Sequence, residues 1–313
     1  MIRKFSTIFL FFILLSGIAS FQSCTNLMNQ SQQDGLFEPV PDTTNMYELA
    51  NFTSKAVRKA VLNEELLLEN GEKRKNGIAV IPQDKDDFKS ANLDEVYWNG
   101  ESVKYADFRG SSFRSAHAEK ADLSNSDFRF SDMRWSRFNG SDLSNCLFSR
   151  GTLFRIFVND ANLENSDFRG ANMFGVRGHR TNFRNSDFTN ALMKESEFTD
   201  ADFTGSKMVH VKFIITVFAG AKLDSADFSY SDFTGAGLEE TSFINSRLWD
   251  VDFRGAHLQE ADFSGADIKD CNFFAVEFVN TNFKDAINIP PEIQELIIDD
   301  KITGVCSVGG NDN

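Results

Sequence analysis

Large apolar residues recur at every fifth position across most of this chain. From Leu93 to Phe283 the grid holds 39 positions without insertion or deletion, and 37 of them are Phe, Leu, Met, Val, Trp or Ile; the exceptions are Ala118 and Gly178. The residue two places earlier is usually Ala, Ser or Thr, and the residue just before is often Asp or Asn. A chain that is 41% hydrophobic does not produce this order by chance.

A period of five fits neither the 3.6 residues of a helical turn nor the two-residue alternation of a strand. It requires a backbone that turns one large and one small side chain inward in each unit and leaves three side chains outside. A single unit cannot bury its large residue alone, but stacked units can, so the pattern predicts a solenoid. Phenylalanine suits the large position because flat rings stack and bury much apolar area.

Individual units then identify a family. Ala-Asp-Leu-Ser-Asn at 121–125, Ser-Asp-Phe-Arg-Gly at 166–170 and Ala-Asp-Phe-Thr-Gly at 201–205 resemble the repeat of the pentapeptide repeat family. The resemblance covers residues 91–285. It implies an all-β solenoid, a right-handed quadrilateral parallel β-helix in which four pentapeptides form one coil of 20 residues. At roughly 4.8 Å per coil, about ten coils would make a rod on the order of 47 Å long.

The weak grid positions are consistent with a four-sided coil. At steps of 20 residues, Ala118, Val158 and Gly178 fall in one column. The small positions of the same side include Ile156 and Val176, so larger neighbours accompany the centres Val158 and Gly178, which conserves interior volume. Ala118 lacks such a partner, and Trp98 of the same column is expected to fill its space.

The first 23 residues resemble an export signal. A basic start precedes an apolar run, Ile8 to Leu15, and then small residues. The run is shorter than the roughly 20 apolar residues that span a bilayer. The Ser23-Cys24 pair resembles a bacterial lipoprotein signal, which implies lipid attachment at Cys24 and an exported, membrane-anchored protein of the bacterial cell envelope. The alternative is a cleaved signal that leaves Cys24 as a free thiol.

The segments on either side of the repeats are predicted to be a tether and two caps, because open solenoid ends expose strand edges. Residues 24–44 are polar and predict a flexible tether. Residues 45–90 predict a helical N-terminal cap, which begins with the capping pair Asn45 and Glu48. Residues 286–313 predict a short C-terminal helix that starts at Pro290–Pro291, followed by a loose tail.

Charge and motifs exclude several function classes. The 313 residues carry a formal charge of −14, which disfavours non-specific nucleic-acid binding. Residues 91–190 are neutral, whereas residues 191–284 carry −8. No P-loop, GxGxxG or HExxH motif is present, and the histidines lie apart. We therefore expect no enzyme, no cofactor, no metal site and no small-molecule substrate.

Other polar and sulfur-containing residues are predicted to be structural. The carboxylates of Asp107, Asp127, Asp167, Asp187, Asp227 and Asp267 are expected to accept turn hydrogen bonds rather than bind cations. A ladder formed by Asn125, Asn145, Asn165 and Asn185 is expected to be structural as well. Cys146 and Cys271 occupy small interior positions and are predicted to be buried fillers that cannot bridge.

One surface departs from the polar pattern, and we call it the Arg–aromatic surface. Its members occupy outward positions on two adjacent sides: Arg134, Trp135, Arg137, Phe154, Arg155, Phe157, Phe174, Arg177, His179 and Arg180. Exposed aromatic residues beside arginines are typical of protein-binding hot spots. The alternative is that these rings pack on neighbouring arginine stems. The partner is expected to be an unknown protein or a second copy of the chain.

The sequence therefore predicts a non-enzymatic, envelope-anchored binding or scaffolding protein. The alternative comes from the family resemblance: some pentapeptide repeat proteins are acidic DNA mimics that bind a topoisomerase and protect it from inhibitors. The acidic second half fits that alternative, and the export signal and the arginine-rich first half argue against it.

Overall fold

Isolated parallel bridges, rather than long strands, hold the coils together. The computed structural model describes residues 83–302; the predicted export signal, Cys24, the tether, most of the N-terminal cap and the tail from residue 303 lie outside the described residues. Each bridge joins a residue to the one 20 positions later, from Asp87↔Asp107 to Asp267↔Ile287. This register confirms the coil of four pentapeptides. The bridged backbone already includes Asp87 and Phe88, which the sequence pattern left in the N-terminal cap.

A two-residue turn follows each interior centre, and its second residue has a positive φ. Every fifth residue from Lys85 to Asp285 adopts this left-handed conformation. Asn125, Asn145, Asn165 and Asn185 all occupy it, with φ between 56° and 61°. Asn tolerates this region better than most residues do, because its short polar side chain bonds locally. The ladder is therefore structural, as predicted, for a conformational reason that the spacing did not reveal.

The large residues of the grid stack in columns inside the coils. Phe188 is fully buried, lies 4.7 Å from the Phe168 ring centroid with nearly parallel planes, and meets Phe183 edge-on at 5.6 Å. Stacked and edge-on aromatic pairs of this kind continue along the described coils. Burial of these rings removes the largest apolar area of the chain from water and supplies the main stabilisation of the coils.

The small inward residues also link the coils by hydrogen bonds. The Ser206 hydroxyl donates to the carbonyl of Phe183 at 2.9 Å, and the Thr181 hydroxyl donates to the carbonyl of Val158 at 2.7 Å. Cys271 is buried, and its thiol donates to the carbonyl of Leu248. Each acceptor lies 23 residues earlier, so Ser, Thr and Cys satisfy a carbonyl of the previous coil as well as filling space.

The coils with weak centres are filled from neighbouring positions. A Cβ at Gly178 would lie 3.0 Å from the Phe198 ring, so that ring occupies the space a larger centre would need. Ile156 and Val176 are buried on the same side. An apolar cavity of about 10 Å³ remains near Val158, which is too small for a ligand.

The chain folds back over its last coil. Strand β1 spans Thr281–Asn282, helix α1 spans Pro291–Gln294, and strand β2 spans Lys301–Ile302. β2 pairs antiparallel with β1. Helix α1 lies where the sequence predicted a short helix, and its Ile293 is buried in the core. The returning segment thus occupies an edge that would otherwise leave backbone groups unpaired.

Candidate functional site

The fold brings the members of the Arg–aromatic surface together. The bridges Arg137↔Phe157 and Phe157↔Arg177 place three of them in one column, on successive coils. Phe154 and Phe174 stack in a neighbouring column, with centroids 5.4 Å apart. Residues that lie up to 46 positions apart along the chain therefore form one contiguous surface.

The aromatic rings are less exposed than their outward positions suggested. Phe174 is only 5% exposed, and Phe154 and Phe157 are half-buried. Phe154 covers Phe174 by stacking, and the Trp135 ring meets Phe154 edge-on at 6.0 Å. The prediction that the aromatic rings of this surface are exposed is therefore wrong for Phe174, because the Phe154 ring of the previous coil covers it. Trp135, with 47% of its surface exposed, is the accessible ring.

Arginine stems complete this packing. The guanidinium of Arg155 lies over the Phe154 ring at 5.4 Å, and that of Arg137 lies over the Phe157 ring at 5.4 Å. Arg134 lies beside Trp135 at 5.5 Å. The rings therefore do pack against arginine side chains, and the cation–π contacts favour these positions of the guanidinium groups.

The arginines differ in whether a carboxylate already neutralises them. Arg134 forms a bidentate pair with Asp132, Arg180 pairs with Asp160 at 2.7 Å, and Arg177 pairs with Glu197. His179 Nε2 also lies 3.4 Å from that Glu197 carboxylate.

By contrast, Arg137 and Arg155 make no ion pair within residues 83–302. Both are exposed. These two positive charges are held over rings and remain open to a negatively charged group.

A second exposed apolar group lies on the same corner of the solenoid, and sequence reasoning missed it. Ile215 is 61% exposed, and Val217 is 37% exposed. Ile215 has a φ of 56°, which is costly for a β-branched residue. A signal was present, because Ile215 occupies the turn position that Asn or Gly often fills.

Five of the six aspartates of the ladder accept turn hydrogen bonds, as predicted, whereas Asp267 accepts a bond from the Asn288 side chain. The backbone N–H of Arg129 donates to Asp127 at 3.1 Å, and that of Thr189 donates to Asp187 at 2.9 Å. Within the described residues no group of three or more His, Cys, Asp or Glu could hold a metal ion. Burial raises the pKa of the Cys146 and Cys271 thiols, which keeps them protonated and unreactive.

Two observations bear on the predicted membrane anchor. No helix in the 83–302 range is long and apolar enough to cross a membrane. Cys24, the residue predicted to carry the lipid, lies outside the described part of the chain.

Comparisons with known proteins agree with the repeat register. The family model described as "Pentapeptide repeat region" matches residues 206–283, and the model "Pentapeptide repeats (8 copies)" matches residues 106–145 and 179–213. No curated protein matches the chain.

Solved structures of similar proteins include three from different sources. HetL from the cyanobacterium Nostoc sp., involved in heterocyst differentiation regulation, is 20% identical over 64% of this chain and 86% of its own, with a TM-score of 0.31. QnrB1, a plasmid-mediated fluoroquinolone resistance protein, is 18% identical over 55% of this chain and 79% of its own, with a TM-score of 0.25. A pentapeptide repeat protein from the Arabidopsis thaliana thylakoid lumen is 28% identical over 33% of this chain and 68% of its own, with a TM-score of 0.22.

Proposed function

This chain belongs to the pentapeptide repeat family, and we propose that it is a non-enzymatic binding or scaffolding protein that presents its Arg–aromatic surface to an acidic protein partner. Proteins of this family fold as right-handed quadrilateral β-helices and are generally structural or binding proteins. In this proposal the repeats form a rod of about ten coils, at roughly 4.8 Å each, with a helical cap at the N-terminal end. The rod holds the Arg–aromatic surface at a fixed distance from the membrane.

The observation that carries the proposal is the pair of unneutralised guanidinium groups on Arg137 and Arg155. Each is exposed and lies over a phenylalanine ring, and this contact reduces the side-chain entropy that is lost when a carboxylate binds. The exposed Trp135 ring lies on the same surface and provides apolar contact area. Arginine and tryptophan together are enriched among residues that dominate binding energy.

A charge-neutralising pair of substitutions tests this surface. We expect Arg137→Gln with Arg155→Gln to remove binding of proteins captured from cell-envelope extract by the immobilised wild-type chain. The matched control is Arg109→Gln with Arg169→Gln, because those arginines lie off the surface and are paired with Asp107 and Asp167. Captured proteins are identified by mass spectrometry, purified and titrated against each variant. If every one binds both double variants as tightly as wild type, the surface is not the binding site.

The proposal includes anchoring in the bacterial envelope through a lipid on Cys24, supported by the basic, apolar and small residues before it. Stable anchoring by acyl chains follows from about 0.8 kcal/mol per buried CH₂ group. We expect Cys24→Ala to move the protein from the membrane to the soluble fraction, whereas Cys306→Ala should not. A Cys24→Ala protein that still sediments with membranes would show that the lipid anchor is wrong.

The DNA-mimic alternative has less support. B-DNA presents one charge per roughly 1.7 Å of its axis, and a mimic needs a similarly continuous negative surface. Here arginines pair with the aspartates of the first half, as at Asp107 and Asp127, so that half carries no net charge. Protection of a topoisomerase from an inhibitor by the purified chain would favour the alternative.

A further inference from the structure

Along one corner of the solenoid, large side chains on one side of a central residue match glycines at the same distance on the other side. We call it the corner ridge: the column of turn residues Trp135, Arg155, Gly175, Glu195, Ile215, Gly235 and Gly255, each one coil after the last. Two positions at equal distances before and after Glu195 always combine one large residue with one glycine. Trp135 corresponds to Gly255, Arg155 to Gly235, and Ile215 to Gly175.

The adjacent outward column repeats the pattern at one pair. Counted from Glu197, Phe157 corresponds to Gly237, whereas Arg137 corresponds to His257 and Arg177 to Val217. Two antiparallel copies that meet along this corner would therefore place large side chains against glycines along the corner ridge and at one pair of the adjacent column. Such self-complementarity is what a two-fold interface between identical chains requires.

Two of the protruding side chains and two of the three glycines are open in the single chain, and the third glycine, Gly175, is covered. Trp135 is 47% exposed and Ile215 is 61% exposed. A Cβ at Gly255 would have nothing within 4 Å, and one at Gly235 would touch only the Ile215 side chain, at 3.8 Å. At Gly175 the stem of Arg155 lies across the glycine, so the ridge there offers Ile215 an aliphatic surface.

We propose that the partner of the corner ridge is a second copy of this chain, docked antiparallel with the two-fold axis passing near Glu195. The inference rests on the proposed function, because it identifies the occupant of the Arg–aromatic surface. The ridge from Trp135 to Gly255 spans six coil steps, about 29 Å. That length suits a modest, concentration-dependent interface rather than an obligate one.

The charges agree with this arrangement. The unpaired Arg137 would face His257 of the second copy, whose ring Nδ1 lies 3.2 Å from Glu277 Oε2, so a carboxylate is within reach. The unpaired Arg155 would lie beside Gly237 of the second copy. The Glu239 carboxylate lies over that glycine, 3.1 Å from where a Cβ would be.

Other charges near the interface are paired within each copy, as Glu197 is with Arg177. Arg134 would face Arg254, but each already forms a pair with its own aspartate, Asp132 or Asp252. Lys194 lies next to Glu195 on the axis and opposes the repulsion between the two Glu195 carboxylates.

Filling one flat position tests the interface. The full chain is purified and its monomer–dimer equilibrium is measured by analytical ultracentrifugation as a function of concentration. We expect Gly255→Lys to weaken dimerisation by roughly tenfold or more, because it removes the space for Trp135. The control is Gly100→Lys, whose position also has a positive φ and nothing within 4 Å of a Cβ. Lys120 shows that lysine fits this conformation. Equal dimerisation by both variants would overturn the proposed register.

A cross-link across the axis provides an independent measurement. In a background with Cys24→Ser and Cys306→Ser, Glu195→Cys should give a covalent dimer with a short bismaleimide. Glu240→Cys should not, although it occupies the same exposed turn conformation on another corner. Cross-linking of Glu240→Cys as efficiently as Glu195→Cys would contradict the antiparallel arrangement.

The outcomes separate this inference from the proposed function. A chain that stays monomeric at all concentrations overturns self-docking. Such a monomer can still be tested with a synthetic peptide of glutamates around one tryptophan. If the wild type binds this peptide and the Arg137→Gln, Arg155→Gln double variant does not, the acidic-partner proposal stands without a second copy. If the monomer binds no such peptide and captures no envelope protein, both proposals fail.

Discussion

The first half of the repeat region, residues 91–190, and the second half, residues 191–284, have the same kind of interior but different charge, because the first half is neutral and the second carries −8. In both halves an aspartate before the buried centre accepts the backbone N–H two residues later, as at Asp127 and Asp227. In the first half that later residue is often arginine, as in Arg129, which neutralises the carboxylate. In the second half it is often serine or threonine, as in Ser229.

The difference teaches that the fold needs only an acceptor at the turn. The side chain two residues later is free to set the charge, because it points outward in every unit. Exceptions exist in both halves: Asp122 is bonded to Ser124, and Asp252 is bonded to Arg254. These exceptions show that the buried interior does not determine which residue follows the aspartate two positions later.

The largest expected effects test whether the two interiors are equivalent. Phe188 in the first half and Phe253 in the second are both fully buried and stacked. We expect Phe188→Ala and Phe253→Ala each to reduce the free energy of unfolding by about 3–5 kcal/mol, measured by denaturant titration. Thr199→Ala is the surface control and should stay within about 0.5 kcal/mol. A large cost for only one ring would show that the two interiors differ.

An intermediate effect is expected where a surface ring of the first half has become part of the core. Phe174 is 5% exposed and stacked on Phe154, so Phe174→Ser should destabilise the protein by about 2–4 kcal/mol. Trp135→Ser, on the same surface but 47% exposed, should cost less than about 1 kcal/mol. Thermal unfolding of the two variants measures the contrast. Equal midpoints would mean that the burial of Phe174 contributes nothing.

The smallest effect concerns acid stability in the arginine-paired turns. Partial burial would raise the pKa of Asp107, but hydrogen bonds from the Arg109 side chain and backbone outweigh it and lower this pKa from 3.8 to about 2. A carboxyl whose pKa is lower in the folded state stabilises the fold above its unfolded pKa. That contribution is lost as the pH falls through the folded value. The stability of the wild type should therefore decrease between about pH 4 and pH 2.

Asp107→Asn should make this decrease shallower, and Arg109→Gln should do the same. The double variant should add little to either single change, because both remove one contact. Urea titrations at several pH values measure the slopes. Identical slopes in the wild type and all three variants would show that the Asp107–Arg109 pair does not contribute to acid stability.

The amino-acid order alone determined which residues are inside. Each pentapeptide repeats the same local backbone, so a position on the five-residue grid has the same orientation in every unit. The structure accordingly buries the grid from Leu93 to Phe283, including the small centres Ala118 and Gly178. The structural role of the Asp and Asn ladders was predictable for the same reason, since their bonds and turn conformations are local.

Only the tertiary structure decided what happens on the surface. An outward side chain meets its neighbours from the coils before and after, 20 residues away, so its own pentapeptide does not fix its environment. Phe174 is covered because Phe154 lies one coil earlier, and Arg177 is neutralised because Glu197 lies one coil later. Arg137 and Arg155 have rings rather than carboxylates beside them and therefore remain available to a partner.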